Sequence, residues 1–244
     1  AVHAGDVIET HLVETEPSDG ILPRPVPFSV VYEDDDILVV DKPADTPIHP
    51  SIGNYENTLA NGIAWYFEQK GEPFVYRCIN RLDRDTTGLI VLAKHALSAA
   101  VLSQAMRSRE IHRTYQAFAL GETAASGTID APIARLNGSL IQRTVDFASG
   151  ERSVTHYRTL AHCSVFSHLE LIRCELETGR THQIRVHMAY IGHPLLGDTL
   201  YNKTPGTFPR QALHSASLSF VHPITGEPLN FHAPLPEDMQ NLLT

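Results

Sequence analysis

The densest group of chemically active side chains lies between Asn80 and Lys94. This segment contains Asp83 and Asp85 together with two arginines, two threonines and one glycine, and it leads into the apolar run Leu89–Ala93. A polar turn that leads directly into a buried strand presents its side chains to a cleft from a rigid support. One of the two carboxylates is therefore a candidate for covalent or electrostatic catalysis. An ordinary Asx or hydroxyl turn uses the same residue types, and spacing alone does not separate the two interpretations.

The fourteen histidines suggest a second hypothesis, a metal site. His182 and His187, with His193 close behind, are five residues apart, which on a helix separates them by about 140° around the axis. Zinc-binding helices place two histidines four residues apart on one face, so this spacing predicts no metal and disfavours a metal-dependent hydrolase. No Gly-x-Gly-x-x-Gly or phosphate-loop lysine motif indicates a nucleotide cofactor. The three cysteines, Cys78, Cys163 and Cys174, form no Cys-x-x-Cys pair.

The elements that must hold these residues follow from the apolar pattern. Short apolar runs between turn residues predict strands, and apolar residues at intervals of three and four predict helices. Strands outnumber helices and no strand-helix-strand unit repeats, which disfavours a Rossmann or TIM-barrel layout. The predicted strands are Ile37–Lys42, Leu89–Ala93, Tyr115–Leu120, Thr155–Leu160 and His168–Leu176. The predicted helices are Asn57–Lys70, Ala96–Met106 and a third that Thr181 caps and Gly192 ends, on which His182 and Arg185 share a face.

The charge distribution bears on whether a nucleic acid is the partner. The net charge of −9 opposes RNA binding at first sight, because RNA affinity depends on lysine and arginine. Residues 1–45 hold eleven acids against two bases, so residues 46–244 balance at 17 of each. Within the balanced part, residues 77–113 carry seven bases and three acids. This local excess beside the candidate site suits phosphates, although a solvated surface gives the same count.

The N-terminal part predicts the location and the domain boundary. No apolar run reaches the roughly 18 residues of a membrane-spanning helix and no signal sequence opens the chain, so a cytoplasmic protein is predicted. Residues 16–27 are rich in proline, glycine and acids, which predicts a linker and the main domain boundary. Before it, Val2–Glu9 has the pattern of a last strand and turn.

Four ordered motifs resemble those of the RluA-type pseudouridine synthases. The segment Arg81-Leu-Asp-Arg-Asp-Thr-Thr-Gly88 is similar to the family's Arg-Leu-Asp-x-x-Thr-Ser-Gly signature, with Asn80 for its usual His and Thr87 for its Ser. The resemblance runs from about Asp36 to Pro236. The other motifs are Asp36-Ile-Leu-Val-Val-Asp-Lys-Pro43 with His49-Pro50; Arg113-Thr-Tyr115, with Arg for the family's Lys, and Gly121; and Leu176-Glu-Thr-Gly-Arg-Thr-His-Gln-Ile-Arg-Val-His187 with Gly192-His-Pro194 and Gly197-Asp-x-x-Tyr201.

The resemblance implies the chemistry of the site. Asp83 would be the catalytic aspartate, which attacks C1′ of the ribose or C6 of the uracil, and Arg185 would keep it ionised. Tyr115 would stack on the target base and assist the loss of the C5 proton. The reaction has no redox step and no group donor, so no cofactor is implied. The predicted substrate-binding residues are Arg81, which would fill the space of the flipped uridine, Ile184, which would line the uracil pocket, and Thr86, Arg180 and His182.

The resemblance also implies the fold and the partner. It predicts an α+β fold with a mixed, mostly antiparallel sheet in two lobes, outer helices and a central catalytic cleft. Residues 28–244 would be the catalytic domain, 16–27 the linker and 1–15 the remnant of an S4-type RNA-binding domain. Members with an S4 domain typically act on large-subunit ribosomal RNA, which is the first expected substrate, with transfer RNA second. The target uridine depends on the shape of the RNA and is not predicted.

Two further interpretations use the same fold. A catalytically silent RNA-binding protein is favoured by three departures from the family pattern and opposed by three residues that match it. A synthase of the small-subunit type has a Gly-Arg-Leu-Asp signature, and the full Gly179–Arg185 run opposes it. The departures are Asn80, Thr87 and Arg113, and the matching residues are Asp83, Tyr115 and Arg185.

Overall fold

The computed structural model describes residues 2–7, 18–163 and 168–243. Its strands are β1 Ser29–Glu33, β2 Ile37–Lys42, β3 Thr87–Ala93, β4 His112–Leu120, β5 Ser126–Asp130, β6 Ile133–Arg135, β7 Arg143–Val145, β8 Val154–His162, β9 Leu169–Leu176, β10 Leu213–Val221 and β11 Pro228–His232. Its helices are α1 Leu59–Lys70, α2 Ala96–Arg107, α3 Gln183–Tyr190 and α4 Glu237–Gln240.

In this part of the chain, nine strands form one sheet and two form a separate ribbon. The order in the sheet is β1-β2-β3-β10-β4-β9-β8-β5, with β11 also paired to β10, and β6 pairs with β7. Neighbouring strands are antiparallel except β3 and β10, which run parallel through the pairs Thr87 with His214 and Gly88 with Ser215. This short parallel pairing joins the two halves of the sheet directly after the turn that contains Asp83.

The sheet is buried on both faces around β2 and β3 because a helix covers each face. Leu38 and Ile90 belong to one apolar cluster with Ile63 of α1. Their chain neighbours Ile37 and Leu89 belong to another cluster, and Leu102 of α2 packs there. Successive side chains of a strand point to opposite faces, so a strand that is covered twice needs a continuous apolar run. This explains why the two runs were recognisable in the sequence.

Gly88 allows β3 and β10 to approach each other. Its φ of 110° lies in a region that residues with a Cβ rarely adopt, and a Cβ at this position would overlap the backbone of Ser215. The parallel pairing therefore requires glycine. Because the pairing fixes the start of β3, it also fixes the turn that precedes β3.

The predicted α+β fold with a mostly antiparallel mixed sheet is confirmed. All five predicted strands are present, and the first two predicted helices correspond to α1, which Thr58 caps, and α2. The predicted cap of the third helix is wrong. Helix α3 is preceded by His182, whose φ is 58° and whose side chain makes no capping hydrogen bond, so Thr181 is not the N-cap. No helix in the described ranges is long and apolar enough to cross a membrane.

The region before β1 contacts α1. The backbone N–H of Arg24 donates to the carbonyl of Asn61 over 3.1 Å, and the Asn61 side chain donates to the carbonyl of Leu22 over 2.8 Å. Leu22 and Arg24 of the predicted linker thus contact the helix. Within Val2–Glu9, residues 2–7 contain a turn at Ala4 and Gly5, and most of the predicted S4 remnant, residue 1 and residues 8–15, lies outside the described residues. The domain boundary stays a prediction.

Candidate active site

Asn80 fixes the chain just before the polar turn. Its side chain is buried, and its amide donates to the carbonyl of Leu89 over 3.1 Å and accepts from the N–H of Val91 over 2.8 Å. Both partners lie on β3, so the segment that carries Arg81 and Asp83 is anchored to a fully buried strand. The residue that departs from the family's His therefore has a structural contact of its own.

A buried lysine lies under the same turn. The ammonium of Lys42 donates to the carbonyls of Pro43 and Arg84, each over 2.8 Å, and its side chain is fully buried. Burial lowers the pKa of Lys42 to about 7, although the charges of Asp85 and Asp83 oppose this decrease. The sequence did not single out Lys42, because nothing in the sequence marks this lysine as buried.

Asp83 is paired with Arg185 across the site. Arg185 Nη1 donates to Asp83 Oδ2 over 2.9 Å, and its Nε and Nη2 donate to the two oxygens of Asp198 over 2.7 and 2.9 Å. Burial alone would lower the pKa of Arg185, but the hydrogen bonds to Asp198 and the charge of Asp83 raise it. The guanidinium therefore stays charged at neutral pH, and one cation binds two carboxylates.

His182 is the second side chain near the Asp83 carboxylate. Its Nε2 lies 3.7 Å from Asp83 Oδ2, and its Nδ1 forms a hydrogen bond of 2.8 Å with Tyr201 Oη. Burial lowers the pKa of His182, with the charges of Asp83 and Arg185 acting in opposite directions, so the ring is neutral at neutral pH. A neutral ring leaves Arg185 as the cation that faces Asp83.

Tyr115 lies in the middle of the sheet, on β4 between β10 and β9. It pairs in register with Ser215 and Cys174, and only 4% of its surface is exposed. Burial raises the pKa of its phenol, while the charge of Arg113 lowers it in part. The hydroxyl is therefore protonated at neutral pH and can donate a hydrogen bond.

All eight predicted site residues line one small cavity, together with four others. The cavity has a volume of about 50 Å³, close to that of one or two water molecules. It adjoins a groove of about 660 Å³ through Arg81, Leu82, Asp83 and His182, which line both. A molecule larger than water could enter the cavity from the groove only if rim side chains moved, and Arg81 is the exposed one among these four. The eight residues are Arg81, Asp83, Thr86, Tyr115, Arg180, His182, Ile184 and Arg185.

Three of these residues form the wall and the rim. Thr86 is buried, and its N–H donates to the Asp83 carbonyl over 3.1 Å, which closes the turn. Ile184 is 3% exposed and forms part of the apolar wall. Arg180 is at the rim, where its guanidinium pairs with Glu151 and remains 39% exposed. The rim therefore offers a cation to solvent while the wall is apolar.

The histidines considered for a metal are bound to protein groups. His187 is fully buried, with Nδ1 bonded to Thr155 Oγ1 over 2.9 Å and Nε2 to the Ala131 carbonyl over 2.8 Å. His193 Nδ1 lies 3.0 Å from the Leu120 carbonyl. Both rings therefore contribute to packing.

A different group of described residues has the spacing of metal ligands, namely Asp34, Asp36 and His222. His222 Nδ1 accepts the N–H groups of Ile224 and Thr225, so the ring hydrogen is on Nε2, which donates to Asp34 over 3.0 Å. A metal ligand needs a free lone pair on that nitrogen. The group is therefore satisfied as a hydrogen-bonded cluster and does not fit a metal.

Sequence reasoning missed Asp198, Tyr201 and Arg143. Asp198 and Tyr201 belong to a motif that was noted without a role for either residue. The backbone N–H of Arg143 in β7 donates to Tyr201 Oη over 2.9 Å, and no sequence signal announces that contact. Asp198 and Tyr201 contact the partners of Asp83, Arg185 and His182, and Arg143 contacts Tyr201.

Comparison with known proteins agrees with the motifs. The family described as RNA pseudouridylate synthase matches residues 36–190. An uncharacterised RNA pseudouridine synthase of Bacillus subtilis, YjbO, is 44% identical over 98% of this chain and 83% of its own length. Ribosomal large subunit pseudouridine synthase D of Vibrio cholerae is 42% identical over 98% of this chain and 76% of its own. The solved structure of human RNA pseudouridylate synthase domain containing 1 superposes with a TM-score of 0.71 at 25% identity, over 90% of this chain and 86% of that one.

Proposed function

Because this chain belongs to the RNA pseudouridylate synthase family, we propose that it acts on large-subunit ribosomal RNA through the carboxylate of Asp83. The enzyme is an isomerase and its substrate is RNA. In the reaction the bond between uracil N1 and ribose C1′ breaks, a bond between C5 and C1′ forms, the C5 proton leaves and N1 gains a proton. The uracil is a reactive fragment between these steps, so the pocket must hold it and exclude water.

The observation that carries the role of Asp83 is its place in one cavity with a buried tyrosine, where Arg185 binds one of its carboxylate oxygens. In the described part of the chain, Arg185 is the group that donates a hydrogen bond to the Asp83 carboxylate, through Oδ2 at 2.9 Å. No described residue donates to Oδ1. A carboxylate held by one oxygen keeps lone pairs on the other for attack on C1′ or C6.

The other side chains supply what the rest of the reaction needs. The ring of Tyr115 lines the same cavity as Asp83 and provides a face on which a base can stack. Ile184 keeps the wall apolar, which excludes water from the detached uracil. Arg81 at the mouth of the cavity can occupy the space that the flipped nucleotide leaves in the RNA, which offsets part of the cost of flipping.

Two of the three departures from the family pattern, Thr87 and Asn80, do not favour a catalytically silent protein. Thr87 Oγ1 forms a hydrogen bond of 2.8 Å with His214 Nδ1, which the hydroxyl of the family's serine would also make. The amide of Asn80 bonds to β3. Neither side chain contacts the Asp83 carboxylate, so both substitutions leave the reacting group unchanged.

The choice of ribosomal RNA is supported by the relatives. Among the similar proteins are several ribosomal large subunit pseudouridine synthases D, at 41% to 42% identity. The groove beside Asp83 is bordered by the cations Arg81 and Arg84, which suits an RNA backbone in general. Transfer RNA is the alternative substrate that the test must include.

The test measures tritium release from RNA labelled at uridine C5. Transcripts of large-subunit ribosomal RNA and of transfer RNAs are incubated with the wild-type enzyme, Asp83→Asn and the matched control Asp85→Asn. We expect release from ribosomal RNA with wild type and Asp85→Asn, and none with Asp83→Asn although its melting temperature is preserved. Release from transfer RNA alone would overturn the proposed substrate, and full activity of Asp83→Asn would overturn the proposed role of Asp83.

A further inference from the structure

The two side chains that approach Asp83 are both held by one short turn. Asp198 binds Arg185, and Tyr201, three residues later, binds His182. This turn follows α3 and contacts neither Asp83 oxygen. We propose that Asp198 and Tyr201 are positioning residues for the isomerisation, which set the orientation of Arg185 and His182 toward Asp83; this inference rests on the proposed role of Asp83.

Asp198 is immobilised on both oxygens. Its side chain is fully buried, Oδ2 accepts from Arg185 Nε, and Oδ1 accepts from Arg185 Nη2 and from the backbone N–H groups of Leu200 and Tyr201 over 3.0 and 3.2 Å. Three donors thus hold Oδ1 and one holds Oδ2. The carboxylate therefore has one stable orientation, which the backbone of the turn determines.

The orientation of Asp198 determines where Arg185 points. A guanidinium is planar and rigid, so two parallel bonds along its Nε–Nη2 edge fix the direction of Nη1. That direction meets Asp83 Oδ2 at 2.9 Å. Without Asp198, Arg185 could turn the same edge toward Asp83 and bind both of its oxygens. Such a pair would occupy the lone pairs that Asp83 needs for attack.

Sharing the cation also limits how strongly Arg185 holds Asp83. Two carboxylates and one guanidinium leave a net charge of −1 beside a neutral His182. Asp198 takes two of the three hydrogen bonds from Arg185, and Asp83 takes one. Asp83 therefore has one hydrogen bond from the cation, and its other oxygen is free of protein donors among the described residues.

Tyr201 acts in the same way on His182. Its Oη accepts the backbone N–H of Arg143, and its hydroxyl hydrogen is then available for His182 Nδ1, 2.8 Å away. When the hydroxyl donates to Nδ1, the hydrogen of a neutral ring lies on Nε2, the nitrogen that faces Asp83. His182 has a φ of 58°, a conformation that residues with a Cβ rarely adopt, and the bond to Tyr201 helps to hold it.

The test separates positioning from folding and from RNA binding. Single-turnover rates of tritium release and RNA dissociation constants are measured for wild type, Asp198→Asn and Tyr201→Phe, on whichever of the ribosomal and transfer RNA transcripts the wild-type enzyme modifies. Asp238→Asn is the matched control, since Asp238 binds Arg210 through the same two bonds, over 2.7 and 2.9 Å, outside the cavity. Melting temperatures are recorded for every variant.

We expect Asp198→Asn to lower the single-turnover rate about 10²-fold, the effect of misplacing a reacting group, with the RNA dissociation constant unchanged. Tyr201→Phe keeps the ring that Arg185 stacks on and should lower the rate about fivefold, the effect of one hydrogen bond. Asp238→Asn should lower the melting temperature without slowing the reaction. If Asp198→Asn is unfolded at the assay temperature, Tyr201→Phe decides the outcome.

Three results would overturn the inference. They are wild-type rates in a folded Asp198→Asn, equal rate losses in Asp198→Asn and Asp238→Asn, or a loss that appears entirely in the RNA dissociation constant. If Asp83→Asn is inactive while Asp198→Asn and Tyr201→Phe retain wild-type rates, the proposed function stands and this inference alone fails. No tritium release by the wild-type enzyme from either RNA would overturn both.

Discussion

Two arginines of this protein form the same ion pair with different consequences. Arg185 binds Asp198, and Arg210 binds Asp238, each through Nε to Oδ2 at 2.7 Å and Nη2 to Oδ1 at 2.9 Å. The difference lies in the remaining nitrogen. Arg185 Nη1 meets the carboxylate of Asp83, whereas Arg210 Nη1 meets backbone carbonyls, among them that of Asp85 at 3.1 Å.

Both pairs therefore contact the same turn, one at a side chain and the other at the backbone. The Arg210 pair donates to the carbonyl groups of Asp85, Gln211 and Leu213, which is a contribution to stability. The Arg185 pair instead presents a cation to a second carboxylate inside a cavity. Its acid, Asp198, is fully buried, while Asp238 is 35% exposed. The geometry of an ion pair thus does not reveal its role. The group that contacts the third nitrogen of the arginine, Nη1, does.

The largest effect should come from replacing each arginine with lysine. A lysine carries a charge but not the rigid plane that binds one carboxylate with two bonds and reaches a second group. Arg185→Lys should therefore slow single-turnover tritium release about 10²-fold or more. Arg210→Lys should instead lower the free energy of unfolding by about 1–3 kcal/mol, because carbonyls lose their donors.

The two measurements are single-turnover kinetics and urea denaturation on both variants. Equal losses of rate would mean that the turn needs both pairs for catalysis, and the distinction between the pairs would then be wrong.

The next largest effect, a loss of unfolding free energy, should come from disturbing the backbone contact between Gly197 and Arg210, which links the two ion pairs. Gly197, which precedes Asp198, has a φ of 72°, and a Cβ there would overlap the carbonyl of Arg210. Gly192 has a φ of 89° and open space around it, so Gly192→Ala measures the backbone strain alone, about 1–2 kcal/mol. Gly197→Ala should lower the unfolding free energy by about 3 kcal/mol or more, because overlap adds to strain.

Gly197→Ala should also slow the single turnover, since the displaced turn carries Asp198. Urea denaturation and rates are compared for the two variants. Similar values for both glycines would show that the contact between Gly197 and Arg210 does not couple the pairs.

A third effect concerns Lys42, which lies under the turn that both pairs contact. Its pKa of about 7 in the folded protein is below its value in the unfolded chain, because burial disfavours the charge. Between these values the folded protein binds fewer protons than the unfolded chain, so the free energy of unfolding must rise with pH. The rise should be about 2 kcal/mol between pH 7 and pH 9.

Lys42→Met removes the titrating group, so the difference between wild type and this variant isolates its contribution. Urea denaturation at pH 7 and pH 9 measures it. A constant difference between the two proteins would contradict the depressed pKa.

The comparison also shows what a sequence can and cannot predict. The strands at Ile37–Lys42 and Leu89–Ala93 were predictable because burial on both faces requires continuous apolar runs. The cavity residues were predictable because they lie in ordered motifs that resemble a family. The start of α3 was not, since the conformation of His182 depends on a contact with Tyr201, 19 residues later. Nor could the sequence distinguish Asp198 from Asp238. Their roles depend on which group Nη1 of the bound arginine contacts, the Asp83 carboxylate or backbone carbonyls.

No loss of reaction rate is expected at Thr87, on the structural side of the comparison. Its hydroxyl bonds to His214 Nδ1, whose ring also contacts the Ala233 carbonyl, and neither residue lines the cavity of Asp83. Thr87→Ser restores the residue typical of the family, keeps the hydrogen bond and loses one methyl group, which should cost about 1 kcal/mol of unfolding free energy. Thr87→Val keeps the shape but leaves a buried ring nitrogen without its donor, at about 1–3 kcal/mol.

Both Thr87 variants should retain the wild-type single-turnover rate, because Thr87 supports the fold and does not contact the reacting carboxylate. Urea denaturation and tritium release on the same preparations measure the two quantities. A higher rate in Thr87→Ser without a change in stability would mean that this departure from the family affects the chemistry. The start of β3 would then belong to the catalytic side of the comparison.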